Sequence, residues 1–582
     1  MVSSAQTPNS SCPSADHFRM TFISPPSSVN ELTMTTGSSS APLIFLQTRS
    51  PLGPATPSGQ IDTSYALTDW ISSNVNYSTW MYNVMPGLKW SDGSPVTSQD
   101  ILTSFGPKFA FNATYDFAGL GPEVKQEYAL NSSTAVFVLN APDAQWPQKT
   151  KGDYYTTVLP ASLISAQGGG TTNFGTDKSV GPFYLTNYSA GQFQAVMLRN
   201  PNFQPQPAIC EVDVNFVDSL SETATYLQSG TTDWAQVEYS NVQAVLAANS
   251  NLKLYDEKAQ AMADIDYNDS IYPYNMTAFR QALAYGINQS QIVSQAFAGY
   301  GVTAYNAEGA VSPIATAYFN SNQKQYSFSP TTAMSLLTSA GITKGSDGFL
   351  HYPNGTVVSL TIWADTDNNA DPLAANIVKT DLQNLGFQVS LQTAAAATIV
   401  GDYASNVAEI KSAMILATIN VLYFGEPYTD ILPGWDTYFL PTVASYTWLY
   451  PASAEAQYNS NVSAYDATAN PTLDNQYLNN IEALQAQYLP SLPIAYPDRL
   501  FAVNQQHWTN YPPGYLMYYS YNFNTTALAD LQPVSTSSGL SSTTTLTIVA
   551  VVVIIAVVAA IAFTATRGRR ATKAGKIKTH EP

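Results

Sequence analysis

Trp363, Asp365 and Asp367, in the run Trp363-Ala364-Asp365-Thr366-Asp367-Asn368-Asn369, are the residues best placed by type and spacing to meet a ligand. They follow Ser359-Leu360-Thr361-Ile362, a strand pattern, and so stand at a strand's carboxyl end, where open α/β sheets bind small molecules. An indole suits stacking on a sugar; ordinary core packing accounts for Trp363 equally well. Covalent chemistry is not indicated. The four histidines, His17, His351, His507 and His580, form no HExxH pair, and no nucleophile elbow, phosphate-binding loop or zinc-spaced cysteine set is present. No enzyme activity, cofactor or metal is therefore expected, although two acids meeting in a cleft could still make a glycosidase. Cys12 and Cys210 are the only cysteines. They are either a single disulfide or two unrelated thiols, and closing so long a loop would contribute roughly 5 kcal/mol at most.

The composition narrows the partners. Charged residues are 11% of the 582, against roughly 25% in ordinary soluble domains. The net charge of −18 argues against nucleic acid. Aromatic residues reach 12%, with 37 tyrosines, and 45% of the chain is hydrophobic, so it has ample material for a core. So few bases would limit self-repulsion in strong acid, which fits an acidophile's exterior as well as it fits a glycosylated surface protein. A chain of this length implies two or three domains.

Several elements are legible. Trp80–Val84 and Thr134–Leu139 alternate as strands, and Thr97 followed by Asp100 resembles a capping box opening a helix near Ser98. Met20–Ile23 and Val212–Phe216 are strands, and Gly181–Leu185 with Met197–Phe203 forms a hairpin. Helices are expected over Glu222–Ser229 and Phe279–Ile287. Ser359–Trp363, the amphipathic run Pro372–Leu385 ended by Gly386, and Phe387–Leu391 make a βαβ unit, which requires parallel strands.

Beyond Asp530 the character changes. Residues 532–545 are a Ser/Thr-rich spacer, and 546–565 carry no charge, enough for about 30 Å of helix. Arg567, Arg569, Arg570, Lys573, Lys576 and Lys578 follow. The reading is a transmembrane helix, with 566–582 a basic cytoplasmic tail and the bulk of the chain extracellular. Glycosylation sequons at Asn76, Asn112, Asn131, Asn187, Asn268, Asn275, Asn354, Asn461 and Asn524, with others at Asn9 and Asn288, precede that helix. No secretory leader is visible before Asp16, although an external body requires one.

Met85-Pro86-Gly87-Leu88-Lys89-Trp90-Ser91-Asp92-Gly93-Ser94-Pro95-Val96-Thr97-Ser98-Gln99-Asp100-Ile101 closely resembles the fingerprint of the family 5 extracellular solute-binding proteins, the peptide-class receptors of ABC importers. Further stretches resemble that family in order, among them Gly181–Leu185, Tyr226–Trp234, Phe279–Gln289 and Leu489–Ile494. The resemblance implies an α/β, two-lobed periplasmic-binding-protein-like fold of type II with an extra inserted domain, here in an archaeal type with a C-terminal membrane anchor. Lobe I would comprise 1–42, 179–260 and 497–531, the inserted domain 43–178, and lobe II 261–496. A cleft between lobes would close by hinge motion on an oligopeptide, and the partners would be the permease subunits and their ATPase. Peptide binders of the family carry an aspartate for the ligand's α-amino group where this chain has Tyr423, followed by Phe424, Gly425, Glu426 and Pro427. Tyr423, Phe424 and Glu426 thus become ligand candidates, with Glu426 able to replace the missing acid. An oligosaccharide ligand, or a structural or adhesive surface role, stays open beside the peptide reading.

Overall fold

The computed structural model describes residues 12–13, 16–23, 25, 44, 47–49, 52, 67–110, 120–150, 157–162, 178–188, 193–259, 261–268, 271–304, 323–395, 398–399, 401–402, 405, 407–420, 452–511 and 528–534. One compact unit runs to Gln532; of the remainder, from Pro533, only two residues are described.

Three principal sheets organise the first unit. The largest has seven strands, in the order Leu252–Glu257, Arg499–Asn504, Trp234–Gln236, His17–Ile23, Glu211–Val217, Gln194–Arg199 and Phe183–Asn187. His17–Ile23 runs parallel to both its neighbours. Apolar residues alternate along His17–Ile23 and Glu211–Val217, as a sheet face on a core requires. Phe18, Met20, Phe22, Val212, Val214, Trp234 and Phe501 form that core, and the Trp234 and Phe501 rings stack at 5.0 Å. The Cys12–Cys210 disulfide is formed, with its Cα atoms 5.9 Å apart, just ahead of the paired strands His17–Ile23 and Glu211–Val217.

The second sheet has six strands, in the order Gly301–Thr303, Leu492–Pro497, Ala261–Tyr267, Met414–Asn420, Ser359–Asp365 and Gln388–Ala394. The expected βαβ unit is present, since Ser359–Asp365 and Gln388–Ala394 are parallel and the helix Ala370–Leu385 joins them. Gly386 ends that helix in left-handed backbone at φ +116, where a side chain would be strained. The helix lays Ala374, Val378 and Leu382 against Ile362, Ala364 and Leu416. Asn288 caps the helix Gln289–Gln295 through its side chain, and its N–H donates to Asp381 at 2.8 Å.

The third sheet is antiparallel, in the order Thr68–Ser73, Thr79–Val84, Thr134–Leu139 and Val124–Ala129, two hairpins joined through their second strands. The helix Ser98–Ala110 covers it, and Trp80, Tyr82, Trp90, Phe105, Phe137 and Trp146 fill its core. The expected capping box is half realised. Asp100 accepts from the Thr97 N–H at 2.7 Å, but the Thr97 hydroxyl donates back to Asp100 instead of capping the helix. Ahead of the helix the chain folds back through one isolated bridge, Lys89 to Pro95.

No helix among the described residues is long and apolar enough to cross a membrane, and the span 546–565 lies outside them. Among the sequons, Asn76, Asn131, Asn275 and Asn354 are exposed, and Asn268 and Asn461 are partly buried. Asn112, Asn524 and the Asn187 side chain lie outside the described residues.

Candidate functional site

Two short connections join the seven-stranded sheet to the six-stranded one. Residues 258–260 carry the chain from Leu252–Glu257 into Ala261–Tyr267, and Asp498 alone carries it back from Leu492–Pro497 into Arg499–Asn504. The connections run side by side, since Glu257 pairs with Arg499 and Ala263 with Ala495.

Asp498, 2% exposed, ties them together. One carboxylate oxygen accepts from the Ala259 N–H at 2.9 Å and the other takes the Lys258 ammonium at 2.8 Å. Burial pushes the Asp498 carboxyl up to about 6, against the pull of Lys258. Burial alone would lower Lys258, but its bonds to Asp256 and Asp498 hold the ammonium above its ordinary value. Tyr239 donates to the Asp498 carbonyl at 2.7 Å and meets Phe297 edge-on at 5.4 Å. Tyr239 therefore packs one sheet's loop against the other sheet's helices, a position no sequence pattern revealed.

The loop that follows Ser359–Asp365 lies on this seam. The Asn369 side chain donates to Glu238, which belongs to the loop after Trp234–Gln236 of the other sheet. Gln243 adds a second bridge, donating to the Tyr300 hydroxyl at 3.1 Å.

Among the residues proposed from sequence, Trp363, Asp365 and Asp367 stand together at this strand end. Trp363 is half-buried, on the face opposite Ile362 and Ala364. Its indole N–H is shielded from solvent, with no hydrogen-bond partner among the described residues. Asp365 is 6% exposed and accepts the Asp367 N–H at 2.8 Å, so it shapes the turn, whereas Asp367 is exposed. Beneath the turn lies Asp371, fully buried, which accepts from the Thr418 N–H at 2.8 Å and is hydrogen-bonded to the Thr418 hydroxyl. Burial first, and Asp365 in addition, push its carboxyl up to about 8. Tyr423, Phe424 and Glu426 lie outside the described residues.

Two lobes are thus joined by paired short crossings, with the turn after Ser359–Asp365 at their seam. The family model for bacterial extracellular solute-binding proteins, family 5 (middle region), matches residues 63–450. The chain belongs to the family 5 solute-binding proteins. This solute-binding protein is 24% identical, over 353 residues, to a probable ABC transporter-binding protein of Deinococcus radiodurans. That alignment takes in 54% of the chain and 59% of the relative, so the chain spans little more than half the length of the curated relative it matches. A mannohexaose-bound oligopeptide-binding protein of Thermotoga maritima superposes with a TM-score of 0.74 at 17% identity, covering 90% of this chain and 99% of that one. AppA of Bacillus subtilis, in complex with a nonapeptide, superposes with a TM-score of 0.72 at 18% identity, covering 89% and 98%. At these identities the likeness is one of fold.

Proposed function

We propose that this solute-binding protein captures oligopeptides between its two lobes and delivers them, closed, to the permease of an ABC importer. The paired crossings at Lys258–Ala259 and Asp498 carry the reading, because they leave rotation of one lobe on the other as the soft motion. Family membership and the nonapeptide-bound fold relative support it. Trp363 and Asp367 would contact ligand from the second lobe, and the family resemblance adds Tyr423, Phe424 and Glu426 as candidates. The run 546–565 and its following bases support a tether that holds the body outside the cell.

An oligosaccharide ligand is the second reading. The half-buried Trp363, whose N–H lacks a partner among the described residues, suits a sugar ring and hydroxyl, and a relative of the same fold holds mannohexaose. Thermal unfolding with peptide and oligosaccharide pools separates the two. A ligand at about 100 times its dissociation constant adds roughly 2.7 kcal/mol, a few degrees. A shift with peptides alone supports the first reading and one with sugars alone the second, while no shift with either pool overturns both.

A further inference from the structure

The four-stranded unit is tied to the seven-stranded lobe, where the Asn202 side chain donates to the Trp90 carbonyl at 2.7 Å, and a further bridge, built of other residues than the hinge, runs from it to the six-stranded lobe. Lys149, on the short helix Trp146–Thr150 of the four-stranded unit, has a side chain only 1% exposed. Its ammonium lies 2.9 Å from Asp143, 3.0 Å from Glu123 and 3.5 Å from Asp466. Asp143 and Glu123 belong to the same unit as Lys149. Asp466 does not: it ends the helix Ala452–Asp466, which packs on the helix Pro471–Tyr488. That second helix is fixed to the six-stranded lobe, where Tyr326 donates to the Ala486 carbonyl at 2.6 Å and Arg280 to the Tyr488 carbonyl at 2.8 Å.

Two neutral bonds seat the contact. The Ala144 N–H donates to the Asp466 carbonyl at 2.6 Å, and the Gln145 side chain donates to the Thr468 carbonyl at 2.7 Å. The other titratable groups facing the cluster, among the described residues, are Tyr82, whose hydroxyl is bonded to Thr150 beside Asp143, and Asp474, which is hydrogen-bonded to Gln145.

We propose that Lys149, Glu123, Asp143 and Asp466 form a clasp that holds the lobes closed and tightens as the pH falls. The proposal rests on the reading that the lobes open and close. With every group ionised, one ammonium faces three carboxylates, and closure would bury two uncompensated negative charges. A proton on one of the acids halves that excess, a proton on two removes it, and Lys149 stays paired. Burial first, with Asp143 adding to it and Lys149 opposing it, holds Glu123 up to about 7 and Asp466 up to about 6. Opening carries Asp466 into water and back to the ordinary carboxylate range. Closure therefore takes up a proton. The gain is complete below the ordinary carboxylate range and is lost as the pH rises through about 6.

Spin labels at Val75→Cys and Ser460→Cys, both at exposed positions, report the distance across this contact in the full-length protein by pulsed electron resonance. For Asp466 alone, the closed-to-open ratio should rise about tenfold from pH 8 to pH 5. Asp466→Asn and Glu123→Gln, which neutralise without removing bulk, should each raise the closed fraction at pH 8 and flatten the pH response. A wild-type distribution unchanged between pH 5 and pH 8 overturns the clasp, as does a neutralised pair that matches wild type at pH 8. Adding the peptide and oligosaccharide pools separates the two ideas. A ligand response without a pH response overturns the clasp alone, whereas an unmoved distribution under both overturns the closing-lobe reading as well.

Discussion

The Asp498 carboxylate accepts the Ala259 N–H at 2.9 Å, so each chain crossing between the lobes is held by the other. Asp498→Ala leaves that buried N–H without its partner and takes from Lys258 one of its two carboxylate partners, Asp256 being the other. The loss should cost about 1–3 kcal/mol. Urea unfolding should show a lower midpoint with an unchanged slope, and an unchanged midpoint would show that the crossings are held by their sheets alone.

Asp371 makes stability depend on pH in an unusual direction for an acid. Its folded carboxyl is raised to about 8, chiefly by burial, so the folded state keeps a proton that the unfolded chain releases. That contribution is complete below the ordinary carboxylate range and drains away as the pH rises toward 8. Asp371→Asn, which cannot ionise, should lose stability less steeply than wild type between pH 5 and pH 8. Parallel curves for the two proteins would contradict the assignment.

The disulfide joins residues 198 apart in sequence. In the chain-entropy model, a loop of that length contributes up to about 5 kcal/mol. The double variant Cys12→Ser with Cys210→Ser should therefore melt well below wild type, and reductant should bring wild type down to the variant without moving the variant itself.

Gly301 opens the edge strand beside Leu492–Pro497 at φ +139, and a Cβ there would lie 2.7 Å from the Tyr496 carbonyl oxygen and 2.8 Å from the Pro497 Cα. Both obstacles are backbone. Gly301→Ala should destabilise by about 2 kcal/mol or more, measured by denaturant unfolding, whereas Gly299→Ala, strained at φ +83 but in open space, should cost less.

Local pattern was readable wherever a segment carries its own signal. Thr134–Leu139 appears with the expected bounds, and the βαβ unit around Ala370–Leu385 is in place because strand alternation and helical stripe are both strong there. The helices Ala452–Asp466 and Pro471–Tyr488 were not legible, since Asn, Gln, Ser and Tyr dilute their apolar stripe. The strand Arg499–Asn504 was equally hidden, being buried nearly throughout and lacking alternation. Of the site, Trp363 and Asp367 could be placed from a strand end. Tyr239, Asp498 and the Lys149 cluster could not, because their partners are brought together only by the tertiary fold. Asp498 and Lys258 stand 240 residues apart.

Arg499–Asn504 lies between Leu252–Glu257 and Trp234–Gln236 in the seven-stranded sheet. A growing polypeptide reaches that strand only after every strand of the six-stranded sheet has been made. Until then the two flanking strands present bare edges, and the first lobe lacks its middle. Folding of that lobe must therefore wait until the strands of the other lobe have been synthesised.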